Sequence, residues 1–342
     1  MYCVAGFAQR EQIGEAVTFH DTTWYDRGFD FYIGGGMFWG GKKSALYYNG
    51  SRQNECNLDY LFNNEYWRRD IQQKVVELYP HIAMSDEIGY REEDLNLNPH
   101  YNLAACVSLG VRYKIRDNWG LSLSYTFARL TVTNKLLLTY NSVSGNNYDA
   151  PEMTLYGKED RSMIDLSMSY LFSGAHRVVK PFVELGAQFN YVRVKKFDAM
   201  LLDKNNMPQL TLTLFDIYGG SNYVPGMQAY DVIYGGPGFG FSFATGLKLV
   251  VNKYVSLDPT FYGCMSRVNL QVYGERPFTF NYGVMLRVVM NDFFSRIDNH
   301  CCRDARPCVS IDFARYSTQP PPVHVASSVH FGPLRREGCL LS

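Results

Sequence analysis

Hydrophobic and polar residues alternate along the stretch from Leu103 to Leu130, which reads LAACVSLGVRYKIRDNWGLSLSYTFARL. Up to Tyr113 the odd positions are apolar or aromatic, whereas the even positions are small, polar or charged. The alternation resumes at Trp119, after a short polar segment at 116–118. A period of two places each set on one face of a strand, and the intervening turn predicts a hairpin.

Alternation of the same kind predicts six more strands. One lies within 28–40, two flank a turn at 173–177, two flank a turn at 252–253, and the last covers 278–290. The tight turns alternate along the chain with longer inserts at 41–98, 131–158 and 197–235 and with a short connection at 271–276. Short turns at one end and longer loops at the other are typical of outer-membrane barrels. We therefore predict an all-β fold, an eight-stranded antiparallel up-and-down transmembrane β-barrel at 28–294 with long outer loops.

The two faces of these strands predict two environments. The face predicted to contact lipid carries almost no charge through the strand centres and includes Leu103, Val107, Leu109, Leu121, Leu123, Phe127, Phe239, Phe241, Phe243, Phe280 and Tyr282. The opposite face is predicted to fill the lumen with a polar network of Asp30, Arg112, Lys114, Asp165, Glu184, Lys248, Asp258 and Arg287. A soluble ligand-binding barrel would show the reverse arrangement.

The predicted lumen holds equal numbers of acidic and basic side chains. Buried charges are tolerated when they are paired, and eight strands enclose room for side chains rather than for a wide channel. A salt-bridged core is therefore the favoured interpretation, and a path for protons or ions is the alternative.

One short helix is predicted in the first insert, between Asn57 and Tyr79. Trp67, Ile71, Val75 and Leu78 recur there at helical spacing, and Pro80 ends the pattern. We expect this helix to belong to a structured loop. The alternative is that it folds down on the barrel as a plug or lid.

Composition narrows the range of partners and cofactors. The 342 residues have a formal net charge of +0, so no electrostatic case exists for nucleic acid as a partner. The eight cysteines show no zinc-binding pattern, and Cys106 and Cys264 occupy inward-type positions suited to small space-filling residues. His300 with Cys301, Cys302 and Cys308 is a weak candidate for metal ligation. We predict neither a metal nor a cofactor.

The two ends of the chain differ from the predicted barrel. Residues 1–9, MYCVAGFAQ, are similar to the end of a secretory signal, which leads to the hypothesis that the true start lies upstream; an ordinary N-terminus is the alternative. Residues 10–27 form an N-terminal segment. Residues 295–342 lose the alternation and are interpreted as a disordered or non-native tail, the latter arising from a shifted reading frame.

A family resemblance is carried by the eight alternating strands, the aromatic pair Phe293-Phe294 at their end and the signal-like AGFAQ. The chain resembles the small eight-stranded outer-membrane barrels typified by the OmpA transmembrane domain and OmpX, especially members from the Bacteroidetes lineage. The segment ALYYNGSRQNECNLDYLFNNEYWRRDI is similar to uncharacterised barrels of that group. The resemblance implies a place in the outer membrane of a Gram-negative cell and insertion by the outer-membrane assembly machinery.

Three roles are compatible with such a barrel. The favoured one is a structural or surface-interaction role without catalysis, with outer-membrane lipid, the assembly machinery and an extracellular or periplasmic protein as partners. A narrow, porin-like channel or a small-molecule-binding transport barrel is the second. The third is a rim enzyme acting on lipid or peptide, for which His81, His100, Asp86 and Glu87 are the candidates.

Overall fold

Eleven strands, numbered in chain order, and three α-helices make up the part of the chain that the computed structural model describes. That part comprises residues 28–84, 87–116, 118–140, 150–172, 179–203, 205–219, 223–252, 254–271 and 278–291, all within the unit Met1–Asp298. Eight strands form a barrel: β1 (Phe29–Trp39), β3 (Ala104–Arg116), β4 (Trp119–Leu137), β6 (Glu152–Leu171), β7 (Val179–Leu202), β9 (Tyr234–Val250), β10 (Val255–Arg267) and β11 (Phe278–Met290). The others are β2 (Ile88–Gly89), β5 (Thr139–Tyr140) and β8 (Pro208–Thr213).

The barrel closes because every one of its strands pairs antiparallel with two neighbours. Ile33 of β1, for example, lies opposite Leu109 of β3 on one side and Val288 of β11 on the other. The pairing of β6 with β7 joins the remaining edges into a ring. A closed ring satisfies the backbone hydrogen bonds of all its strands. The predicted eight-stranded antiparallel up-and-down barrel is confirmed.

Three barrel strands are longer than predicted. The expected polar insert at 131–158 is wrong in its limits, because β4 continues to Leu137 and β6 begins at Glu152. The insert at 197–235 likewise begins inside β7 and contains β8, which pairs with the end of β7. These strand ends project beyond the barrel on the side of the long inserts.

The projecting strand ends reverse the chemistry of their two faces. On β4 the outward residues are apolar up to Phe127 and then become Arg129, Thr131, Thr133 and Lys135, while the inward residues change from Ser122, Ser124 and Thr126 to Leu130, Val132 and Leu136. Beyond this level the inward face is the apolar one, as in an ordinary half-buried sheet. The predicted strand ends are too early because the alternation changes its apolar face at this level.

The helices lie in the first insert. They are α1 (Lys42–Ala45), α2 (Asp59–Phe62) and α3 (Glu65–Leu78), with short 3₁₀ helices at Leu46–Asn49 and Glu92–Asp94. Asn64 caps α3, because its side-chain oxygen accepts hydrogen bonds from the backbone N–H groups of Tyr66 (3.0 Å) and Trp67 (3.2 Å). Helix α3 corresponds to the predicted helix. In the described residues, none of the helices has the length and apolarity required to span a membrane.

We call the first insert, 41–98, together with the projecting ends of β4, β6 and β7 and with β8, the cap. Its helices and the inward faces of these strand ends share one hydrophobic core, whose members include Tyr47, Tyr48, Leu58, Leu61, Ile71, Val75, Leu130, Val132, Leu155, Val194 and Phe197. Ile71 and Val75 are the buried residues of α3. The predicted helix therefore belongs to a structured loop, as expected, and that loop packs into a hydrophobic core that continues into the barrel strands.

Candidate functional site

The outward face of the barrel forms an apolar belt between the tight turns and the level of Phe127. Of the predicted lipid-facing residues, Phe127 and Phe243 are half-buried and the others are exposed, with Phe241 at 73%. On β4 the belt runs from Trp119 to Phe127, close to the roughly 9–11 residues with which a tilted strand crosses a bilayer.

Aromatic side chains border the belt at both ends. At the tight-turn end the ring of Phe29 lies 4.9 Å from that of Tyr113, and Trp119 lies 4.8 Å from Tyr170. At the other end Trp39 stacks on Tyr282 at 5.3 Å. Phe239 lies near Phe278 at this end, and Phe280 lies near Tyr282. Two aromatic girdles around an apolar band are the surface pattern of transmembrane barrels.

Glu184 joins two arginines in the middle of the lumen. Its two carboxylate oxygens lie 2.6 Å from Arg112 Nη2 and 2.8 Å from Arg287 Nη1. Arg112 Nη1 is 3.7 Å from Asp258 Oδ2, and the guanidinium of Arg287 lies 5.0 Å from the centre of the Tyr32 ring. All four charged side chains are buried. The structure thus brings together four of the predicted lumen residues.

A second group lies closer to the tight turns. Asp30 accepts from two lysines, since its carboxylate oxygens are 3.0 Å from Lys114 Nζ and 3.5 Å from Lys248 Nζ. Lys248 also donates to Asn291 Oδ1 at 2.8 Å. These three charges are buried as well, so the interior is filled by ion pairs at this level too.

Asp165 departs from the expected salt-bridged core. Its carboxylate is held by neutral donors, Gln188 Nε2 at 2.9 Å and Tyr262 Oη at 3.2 Å. The nearby Arg287 is already engaged by Glu184. The prediction of a charge partner is therefore wrong for this residue, because hydrogen bonds replace the ion pair.

A small cavity lies beside this carboxylate. Its volume is about 10 Å³, and its lining includes Ser124, Asp165, Ser167, Glu184, Ser242 and Arg287. This is roughly the space that one water molecule needs. The cavity thus leaves space for about one water molecule beside the Asp165 carboxylate.

A third charged group lies in the mouth of the barrel on the side of the long inserts. Arg161 Nε lies 2.6 Å from Glu159 Oε1, and both side chains are buried. Tyr48 Oη donates to Glu159 Oε2 at 2.6 Å and Tyr101 Oη to the same oxygen at 3.2 Å. Burial first, and then the charge of Glu159, raise the pKa of Tyr48 well above its ordinary value, so that Tyr48 remains a donor.

The same arginine attaches the first insert to the barrel. Arg161 Nη1 donates to Asn281 Oδ1 at 2.8 Å, and Arg161 Nη2 donates to Ser44 Oγ at 3.1 Å. Asn281 Oδ1 also accepts from the backbone N–H of Gly41 at 2.9 Å. The segment around α1 thus lies over the mouth, so the plug alternative describes α1 better than α3.

Sequence reasoning missed Glu159 and Arg161. Both follow the predicted insert at 131–158 and were not among the predicted lumen residues, although they continue the inward, odd-numbered positions of β6. If the odd-numbered inward pattern had been extended from Met163 back toward the start of β6, both residues would have been identified.

Of the predicted rim-enzyme residues, His81 and Glu87 lie on the cap. The ring of His81 lies 6.0 Å from that of Tyr79 and 6.3 Å from that of Tyr140. Glu87 is an exposed partner of Arg68 at 3.8 Å, and His100 is exposed. Asp86 lies outside the described residues. Within the described part of the chain, no group of three or more His, Cys, Asp or Glu side chains could hold a metal ion.

Comparisons with known proteins find similar solved structures at low identity. Neisserial surface protein A is 11% identical with a TM-score of 0.32, over 77% of this chain and 97% of that one. The outer membrane protein OprG from Pseudomonas aeruginosa is 10% identical with a TM-score of 0.30, over 79% and 96%. Ail, the attachment invasion locus protein of Yersinia pestis, is 10% identical with a TM-score of 0.28, over 78% and 99%.

These similar structures are small outer-membrane barrel proteins, but at such TM-scores the likeness carries no argument about this chain. No family model and no curated protein matches the sequence. The barrel is established by its own strand pairings.

Proposed function

We propose that the chain is an integral β-barrel of a Gram-negative outer membrane, with a filled lumen and a folded cap that serves as a surface for interaction with a protein partner. The role is non-catalytic and consists of a structural or surface-interaction function. Outer-membrane lipid surrounds the belt, and the outer-membrane assembly machinery inserts the barrel. The narrower kinship with OmpA- and OmpX-like barrels of the Bacteroidetes lineage is part of this proposal.

One observation carries the proposal: the reversal of face chemistry occurs at the same level on three adjacent strands. Arg129 of β4 lies opposite Asp160 of β6, which lies opposite Arg193 of β7. These are the first charged outward residues above the apolar belt on their strands. A shared level at which the outward face changes from apolar to charged is expected where strands leave the hydrocarbon core of a bilayer.

The cap supports a role at the surface. Its helices and strand ends bury a hydrophobic core outside the belt, whereas a simple connecting loop needs no such core. A folded element of this kind presents fixed side chains, which suits recognition of a partner.

The filled lumen favours this role over conduction. Three groups of buried charges occupy the interior at successive levels, centred on Asp30, Glu184 and Arg161. Planar-bilayer recording is expected to show no steady conductance from the folded protein. A stable, single-valued channel current would favour the transport alternative instead.

Orientation and exposure can be tested together on intact cells. One epitope is inserted at Asn205, in the exposed turn between β7 and β8, and a second, in a separate variant, at Asn252, in a tight turn. Antibody should bind cells with the first variant, and bind the second only after the outer membrane is permeabilised. Binding to the second variant on intact cells, or a protein found in the soluble fraction, would contradict the proposal.

A further inference from the structure

Four cationic side chains cluster on the outward faces of β6 and β7, just beyond the apolar belt. We call Lys158, Arg193, Lys195 and Lys196 the basic patch. A β-bulge in β7 builds it: Glu159 pairs with Val194 but Lys158 pairs with Lys196, which leaves Lys195 as the extra residue. Because of the bulge, Lys195 and Lys196 are both exposed although they are consecutive.

The patch brings like charges together. Lys158 lies directly opposite Lys196, and like charges in this arrangement destabilise a sheet unless an anion lies between them. The carboxylate closest in register, Asp160, pairs instead with Arg129, whose Nε and Nη2 lie 2.7 and 3.2 Å from its oxygens. None of the patch cations forms a salt bridge with a carboxylate of the described ranges.

A second acidic residue, besides Asp160, lies nearby. Asp198 is the next outward residue of β7 after Lys196, and burial raises the pKa of its carboxyl, with the charge of Lys196 acting in the opposite direction. A single half-buried carboxyl leaves the patch with an excess of positive charge.

The position of the patch indicates its ligand. Arg193 is the first outward residue of β7 beyond Tyr191, which belongs to the exposed edge of the belt with Phe189. At about 3.3 Å per residue along a tilted strand, the cations lie roughly 5–10 Å beyond the hydrocarbon edge, which is the depth of lipid headgroups.

We propose that the basic patch binds the phosphate groups of an anionic lipid in the leaflet on the cap side. The proposal rests on the membrane insertion proposed above and adds the class of lipid that this wall of the barrel selects. Lysine and arginine side chains bind phosphate through charge-assisted hydrogen bonds, and their attraction to anionic headgroups is strongest close to the bilayer surface.

The test measures binding of lipid A, whose headgroup carries phosphate esters, to the detergent-solubilised full-length protein by native mass spectrometry. The variant Lys158→Gln/Arg193→Gln/Lys195→Gln/Lys196→Gln is compared with the control Arg52→Gln/Arg68→Gln/Arg69→Gln/Lys74→Gln, which loses the same charge from the helical part of the cap. The Kd should rise at least about tenfold in the patch variant and less than about twofold in the control. Dephosphorylated lipid A should bind the wild type as weakly as lipid A binds the patch variant.

Other outcomes overturn the proposal. An unchanged Kd in the patch variant, an equal loss in both variants, or tight binding of the dephosphorylated lipid would each do so. Efficient competition by inorganic phosphate would assign the patch to a soluble anion. The two proposals are separated by comparing boiled and unboiled samples on a gel after reconstitution in phosphatidylcholine. A wild type that does not insert contradicts the membrane assignment. A protein that inserts, but whose binding of lipid A does not change in the patch variant, contradicts only the lipid site.

Discussion

At the residue scale, Glu184 determines whether the lumen charges stabilise or strain the barrel. Its carboxylate separates Arg112 from Arg287 at 2.6 and 2.8 Å. A buried ion pair contributes little net stability when complete, but removal of one partner leaves buried charge uncompensated. The charge balance of the barrel interior therefore depends on single residues.

Replacement Glu184→Gln keeps the volume and removes the charge between the two arginines. We expect the free energy of unfolding, measured by urea titration in lipid vesicles, to fall by about 3–5 kcal/mol. The control Arg129→Gln breaks the exposed pair with Asp160 and should cost less than about 1 kcal/mol. Equal effects of the two variants would show that Glu184 does not hold the lumen together.

Cys56 reports on the cap core. Burial raises the pKa of its thiol to about 12 from 9.0, and Tyr47 Oη lies 3.1 Å from its sulfur. Because the folded-state pKa lies above the unfolded value, the stability that this thiol contributes is full below about pH 9 and is lost as the pH rises toward 12.

Alkylation of Cys56 at pH 8, followed by peptide mapping, checks this environment. The thiolate is the reactive form, so the folded protein should react at least about 1000-fold more slowly than the urea-unfolded chain. Raising the pH toward 12 should accelerate the reaction of the native protein. Alkylation at comparable rates in the folded and unfolded states would contradict a buried position.

At the scale of elements, the end of each long strand that lies within the belt could be predicted from the sequence better than its projecting end. The residues from Trp119 to Phe127 follow one alternation, so strand, faces and turn could be predicted from the sequence. Leu130, Val132 and Leu136 lie on the opposite parity because the sheet there packs against the cap instead of lipid. That contact is with residues far away in sequence, and local periodicity does not specify it.

The contact between the 3₁₀ helix at Leu46–Asn49 and strand β6 depends on a glycine. A Cβ atom on Gly157 would lie 2.2 Å from Tyr48 Cδ1, so Gly157→Ala should displace Tyr48 from Glu159 and cost about 1–3 kcal/mol. We expect faster proteolysis within the first insert, while the barrel keeps its gel mobility shift on boiling.

Gly89→Ala serves as the control for this variant, because a Cβ atom there would meet only Thr139 Oγ1 at 3.6 Å. Its proteolysis should match that of the wild type. If Gly157→Ala digests no faster than Gly89→Ala, the aromatic contact is not what holds the first insert in place.

At the scale of the whole molecule, the barrel follows from the sequence more completely than its function does. Eight alternating segments and the order of tight and long connections predict the closed sheet, since each strand pairs with its neighbours along the ring. Eight charged lumen residues were found by parity, whereas Glu159 and Arg161 were missed. The neutral partners of Asp165 come from β7 and β10. Partner choice inside a barrel depends on strand register across the ring, which a list of inward residues does not contain.

In the proposed membrane arrangement, Phe127 and Arg129 lie on two sides of the membrane boundary. Nitroxide labels at Leu123 and Thr131, both outward on β4, test it most directly by electron paramagnetic resonance in lipid vesicles. Collisions with oxygen should dominate at position 123, and collisions with a water-soluble nickel chelate should dominate at position 131. Strong access of the nickel chelate to both positions would contradict the account.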